Sequence, residues 1–202
     1  QVVIIMSKKT NIIINKVYTK KGDFGKTDLI GTKKVSKSNL RVNCYGEVDE
    51  LNSLLGVCRA LINQNPEFDN YKKDIFSPIK KVQNDLFNLG TILALTDDEN
   101  SDKFPKVKSS DVVFLENQID LLNKDLKPLK SFVLPSGNLV GAYFHFSRTV
   151  CRRVERKCVC LSEKEKIDNN VVIYLNRLSD LLFVYARWIN NKFGQKEDLW
   201  EF

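Results

Sequence analysis

The sequence predicts an all-α fold, a single five-helix bundle behind an irregular N-terminal loop. Three observations carry this. Apolar residues recur with a period near 3.6 in five segments of roughly 15 to 22 residues. Polar or proline-bearing breaks separate those segments, and no run shows the period-2 alternation of a strand. With 202 residues the chain is long enough to bury one sizeable core, and no internal repeat or linker divides it.

Residues 1–16 read as a leader set apart from the bundle, which occupies 17–202. The leader holds two short apolar runs, Val2–Ile5 and Ile12–Ile14, around a basic patch. It lacks both the Arg-rich amphipathic pattern of a transit peptide and a small-residue cleavage site, and Met6 could itself be a start. A loop follows, Thr19-Lys-Lys-Gly22-Asp-Phe-Gly25-Lys-Thr27-Asp28. Its glycines would let backbone N–H groups approach a phosphate. The spacing is not that of a Walker A loop, and Leu29–Asn39 does not read as a helix.

The first helix is read from Gly46, through Val48, Leu51, Leu54, Leu55, Cys58 and Leu61, to a stop at Gln64-Asn-Pro66. A second runs from about Asp74 to Leu95, with Pro78 expected in its first turn. An acidic loop, Thr96–Lys103, leads to a third helix over Asp111–Lys124, with Ser109 or Ser110 as its cap. Phe132-Val-Leu-Pro135-Ser-Gly137 is a short apolar segment with a turn. The fourth helix spans Ala142–Glu163, and the fifth, capped by Asp168, spans Asn170–Lys192 before Gly194.

Charge and composition narrow the function. A net charge of +7 suits an anionic ligand such as a nucleotide, a polyphosphate or nucleic acid. The single histidine, His145, excludes a histidine-rich metal site, and the absence of Glu-x-x-His pairs excludes a ferritin-like di-metal bundle. Five cysteines without a C-x-x-C pair read as reduced thiols in an intracellular compartment. No apolar run approaches the length of a membrane span.

The fourth helix carries the densest chemistry. Ser147, Cys151, Val154, Cys158 and Leu161 fall on one small or apolar stripe. Arg148, Arg152 and Glu155 fall on the next, spaced i, i+4, i+7, with Arg156 at its edge. Guanidinium groups stacked beside a core repel unless an anion or carboxylates sit among them. A solvated basic face or a salt-bridge ladder at a subunit interface fits equally well.

Four blocks, in order, resemble the PduO-type ATP:corrinoid adenosyltransferases. They are Tyr18–Thr27; Tyr45-Gly-Glu-Val-Asp49-Glu-Leu-Asn52; Phe132–Gly137 with Arg148–Arg156; and Tyr174-Leu-Asn176-Arg-Leu-Ser-Asp180-Leu-Leu-Phe183. The resemblance runs from about residue 17 to 190 and implies a homotrimer with active sites between subunits. It implies that Thr19, Lys20, Lys21, Gly22, Gly25 and Thr27, with Lys37 adding charge, wrap the triphosphate of ATP; Asp28, counted with this nucleotide-binding loop, follows Thr27 at a position where the family varies. Arg152, with Arg153 or Arg156, would grip the same phosphates. Glu155 would orient that arginine or help hold the nucleotide and its Mg²⁺, and Asn176 would contact the nucleotide. Asp49 would pair with Arg148 across the subunit boundary. Phe132 would pack under the corrin of cobalamin, where a base otherwise ligates cobalt. Ser136 departs from the family pattern, standing where glycine is common.

The implied reaction moves the 5′-deoxyadenosyl group of ATP to Co(I) of cobalamin and releases triphosphate. The substrate's own metal is the nucleophile, so no Ser, Cys or His nucleophile is needed. A cobalamin reductase and an adenosylcobalamin-dependent enzyme such as methylmalonyl-CoA mutase are the implied partners. The rival is a basic helical module that binds nucleic acid or nucleotide without catalysis. The basic face hugs the apolar stripe and lacks interleaved aromatics, which speaks against nucleic acid.

Overall fold

Asn39, Asn138 and Asp168 each turn a side-chain oxygen onto the backbone N–H two residues ahead. Each satisfies an otherwise orphaned donor at a helix start, worth about 1 kcal/mol. They launch α1 (Leu40–Gln64), α4 (Leu139–Ser162) and α5 (Asn169–Lys192). Between them lie α2 (Lys72–Ala94) and α3 (Ser109–Asn123). The computed structural model describes residues 17–31, 34–96 and 101–201, and the leader and residues 97–100 of the acidic loop lie outside them.

The five helices arrive in the expected order, with four local differences. α1 begins at Leu40, a turn and a half before Gly46, because the Asn39 cap extends it through the buried Arg41 and Cys44. α2 begins at Lys72, so Pro78 sits in its second turn. Proline has no N–H to bond the carbonyl four residues back; the Tyr185 hydroxyl donates to that Asp74 carbonyl instead, at 3.3 Å. In α3 neither serine caps. The Asp111 carboxylate reaches back to accept the Lys108 N–H at 2.9 Å. α4 starts three residues before Ala142, at its Asn138 cap.

α1 packs on α2 and α4, and α5 packs on α4 and α3. Ser147, Cys151, Val154, Cys158 and Leu161 are all buried in this core. α5 is the most enclosed helix, burying every residue from Val184 to Asn190. All five cysteines are free and four are buried, so they serve as small hydrophobes. Asp85 is a buried carboxylate that is paid for in full, accepting from Tyr174 Oη at 3.0 Å and Lys81 Nζ at 2.6 Å.

The region before α1 contains what the periodicity did not show, a two-residue antiparallel ladder. β1 (Lys26–Thr27) pairs with β2 (Val35–Ser36). The Ile30 N–H then donates to the Ala94 carbonyl and the Thr96 N–H to the Ile30 carbonyl, fixing the loop to the end of α2.

Candidate active site

The N-terminal loop is held open by backbone geometry. Lys20 and Gly25 take positive φ angles of 59° and 71°. The Gly25 N–H bonds the Gly22 carbonyl at 3.2 Å, and the Lys37 N–H bonds the Gly25 carbonyl at 2.8 Å. Lys37 crosses over Gly22 so closely that a Cβ there would lie 3.2 Å from Nζ. Glycine at 22 leaves the lysine tip that space, and a larger residue would press it aside by a few tenths of an ångström. Thr19, Lys20, Lys21 and Asp28 are exposed around it, with Thr27 half-buried.

On α4, Arg148, Arg152, Glu155 and Arg156 share the flank beside α5. Asn176 of α5 donates to Glu155 Oε1 at 2.9 Å. Arg148 is half-buried, its Nε buried and without a hydrogen-bond partner. Burial, with the charge of Arg152 adding, lowers its affinity for a proton. Arg152 and Arg156 are exposed, and among the described residues neither has an ion-pair partner. Asp49 is exposed on α1 and makes no pair with Arg148 within the chain.

Arg153 belongs elsewhere. Its guanidinium bonds Glu47 and Glu50 of α1, and Lys157 joins it on Glu47. One residue after Arg152 is a turn of about 100°, enough to move Arg153 from the α5 flank to the α1 seam. Of the two arginines expected to assist Arg152, Arg156 is the one left available. Asp180, one turn along the same face of α5 from Asn176, takes Arg177 at 2.8 Å.

Phe132 is 77% exposed and lies outside the core. It lines a cleft of about 600 Å³ with Leu129, Val133, Arg148, Phe183 and Trp200. Trp200 had no sequence signal. It arrives because the C-terminal segment pairs with the Phe132 loop: Trp200 N–H to Phe132 O and Leu134 N–H to Asp198 O, both at 2.8 Å. The bidentate Arg187–Glu197 pair anchors that segment to α5. Phe183, quoted only as part of a block, lies 5.9 Å from the guanidinium carbons of both Arg148 and Arg187. His145 sits edge-on to the same ring, both its nitrogens buried and unpartnered. Burial and the charge of Arg148 push it down to about 4, against a smaller upward pull from Glu197.

An apolar aromatic cleft thus adjoins a row of arginines. The sequence profile described as cobalamin adenosyltransferase matches residues 17–189. The chain belongs to the cobalamin adenosyltransferase family. It is 39% identical over 179 residues to the corrinoid adenosyltransferase of Bacillus subtilis, covering 89% of each chain. It is 34% identical to human corrinoid adenosyltransferase MMAB over 191 residues, 93% of this chain and 74% of the human one. A variant PduO-type ATP:corrinoid adenosyltransferase from Lactobacillus reuteri, solved with cobalamin and ATP, superposes with a TM-score of 0.83 at 37% identity. That match covers 92% of this chain and 96% of the other. Within this family setting, the described residues include no group of three His, Cys, Asp or Glu side chains able to cage a metal ion.

Proposed function

We propose that this chain transfers the 5′-deoxyadenosyl group of ATP to Co(I) of cobalamin, yielding adenosylcobalamin and triphosphate. The observation that carries this is the junction at Arg148, where an unpartnered buried guanidinium nitrogen forms the boundary between the arginine flank and the Phe132 cleft. The reaction needs a phosphate clamp and an apolar platform for a flat macrocycle side by side.

The Co(I) electron pair forms the Co–C bond at C5′ as the C5′–O bond breaks, and the leaving oxygen takes the C5′–O bonding pair. The developing charge falls on triphosphate. Arg152, Arg156 and Lys37, with the N–H groups of Gly22 to Phe24, are the groups to receive it. Glu155, oriented by Asn176, positions the nucleotide. Mg²⁺ would neutralise part of the phosphate charge. Mg²⁺ keeps several waters and takes few protein carboxylates beside substrate phosphates, and Glu155 suits that role. Phe132, with Phe183 and Trp200, provides an apolar surface where the lower ligand of cobalt would stand, and four-coordinate cobalt is easier to reduce.

The active unit is a homotrimer. Among the described residues Arg148 has no anionic partner and Asp49 no cationic one. A neighbouring copy placing Asp49 against Arg148 satisfies both. The product calls for a reductase supplying Co(I) and an adenosylcobalamin-dependent enzyme consuming it. No helix among the described residues is long and apolar enough to cross a membrane. The buried free thiols favour a reducing compartment, cytoplasm or mitochondrial matrix.

The test is ATP-dependent conversion of chemically reduced cob(I)alamin, followed by visible absorbance with triphosphate assayed in parallel. One triphosphate per adenosylcobalamin is the expected result. ATP binding without conversion would leave a nucleotide binder and overturn the proposal.

A further inference from the structure

We infer that Asn190, at the far end of α5 from Asn176, is a positioning residue for Phe132 and so for removal of the lower cobalt ligand. This rests on the adenosyl-transfer reading above.

Asn190 lies in the last turns of α5 with only 2% of its surface exposed. Its side-chain amide acts as a piece of backbone. Oδ1 accepts the Asn138 N–H at 2.9 Å, and Nδ2 donates to the Ser136 carbonyl at 3.0 Å. These two groups flank Gly137, whose φ of +92° reverses the chain around the amide. A Cβ on Gly137 would stand 2.6 Å from Asn190 Oδ1, and one on Gly141 would stand 2.8 Å from the same atom. Two glycines thus make room for one buried amide. Both of its polar ends are used, as a group withdrawn from water requires.

What this clamp holds is the loop from Phe132 to Gly137. The Phe132 ring has little packing of its own. It is largely exposed, and among the described residues its ring neighbour is Trp200, 6.1 Å away between centroids. Its direction is therefore set by the backbone that carries it. That backbone is pinned on one side by the C-terminal segment and on the other by Asn190, which also fixes Asn138, the cap of the arginine helix α4. The amide sets the ring and the arginine helix in one frame.

The experiment compares two corrinoids, cobalamin and cobinamide, which is the same macrocycle without the nucleotide loop and its base. Each is supplied as the Co(II) species with ATP and a reductant that generates Co(I) on the enzyme, and is assayed on wild type, Asn190→Ala and Asn190→Asp, using one preparation per variant. Wild type is expected to adenosylate both. Each Asn190 variant should lose about tenfold or more in kcat/KM with cobalamin and under about threefold with cobinamide, with KM for ATP unchanged. The four-coordinate Co(II) absorbance that ATP induces with cobalamin should fall in parallel. A ratio taken within one preparation is insensitive to the fraction folded. Gly137→Ala, which presses on the amide from the other side, should shift the ratio in the same direction and serves if neither Asn190 variant folds. Equal losses with both corrinoids, or no loss with cobalamin, would overturn the positioning role. No product from wild type with either corrinoid would overturn the adenosyl-transfer reading and this inference with it.

Discussion

Asn176 of α5 donates to Glu155 of α4 across 2.9 Å, joining the two helices that carry the proposed nucleotide site. The bond orients a carboxylate that sits among three arginines, Arg148, Arg152 and Arg156. A hydrogen bond to a charged group is worth about 1.5–3 kcal/mol. Asn176→Ala should therefore raise KM for ATP about tenfold or more, while KM for corrinoid changes little. Steady-state kinetics with each substrate varied in turn would show it, and an unchanged KM for ATP would remove Asn176 from the site.

Arg152→Ala should lower kcat/KM on the order of 100-fold, as expected where one preorganised donor to developing charge is worth about 2.7–4 kcal/mol. A fall under about fivefold would sink the leaving-group role. Arg156→Ala, measured beside it, tests the arginine left available on the same flank.

Arg153→Ala should do the opposite. Its partners are Glu47 and Glu50, so the loss falls on the α1–α4 seam. These pairs are partly exposed, and about 1 kcal/mol is expected, lowering Tm by roughly 2–4 °C in a chain of this size. Catalytic constants should stay within about threefold. A large rise in KM for ATP would return Arg153 to the phosphate site.

His145 makes stability depend on acidity. The unfolded chain takes up its proton near 6.5, while the folded chain resists until about 4. Protonation therefore favours the unfolded chain. The His145 contribution is whole above pH 6.5 and drains as pH falls toward 4, by up to roughly 3 kcal/mol at about 1.4 kcal/mol per unit. Urea unfolding at pH 7.5 and pH 5 should show wild type losing more stability than His145→Leu. Equal losses would mean that the ring is not held neutral.

Phe132→Ala should keep ATP affinity and lose turnover with cobalamin. If the variant bound with ATP and cobalamin still gave the four-coordinate Co(II) spectrum, the ring would not be what displaces the lower ligand.

The helices and the α4 stripe were legible because their signal is local. Ser147, Cys151, Val154, Cys158 and Leu161 are spaced by helix geometry, and all five are buried. The start of α1 was not legible, because Arg41 looks like surface. Its burial depends on the carbonyls of Leu93 and Leu95 at the end of α2, and on Glu165. The same holds for Arg153 against Arg152. Two adjacent arginines are chemically alike, and only the acids of α1 separate them. Trp200 reaches the Phe132 cleft through a pairing 68 positions away in sequence (200 − 132), and no window of the chain contains that fact.

The cysteines have a practical consequence. Cys44, Cys58, Cys151 and Cys158 are buried, and Cys160 alone is partly exposed. A maleimide dye should attach at Cys160 in the native chain and at all five thiols only after denaturation. The molecule carries its own attachment point, two helical turns beyond Arg152. A fluorophore there could report the arrival of nucleotide in the wild-type sequence, with no residue altered.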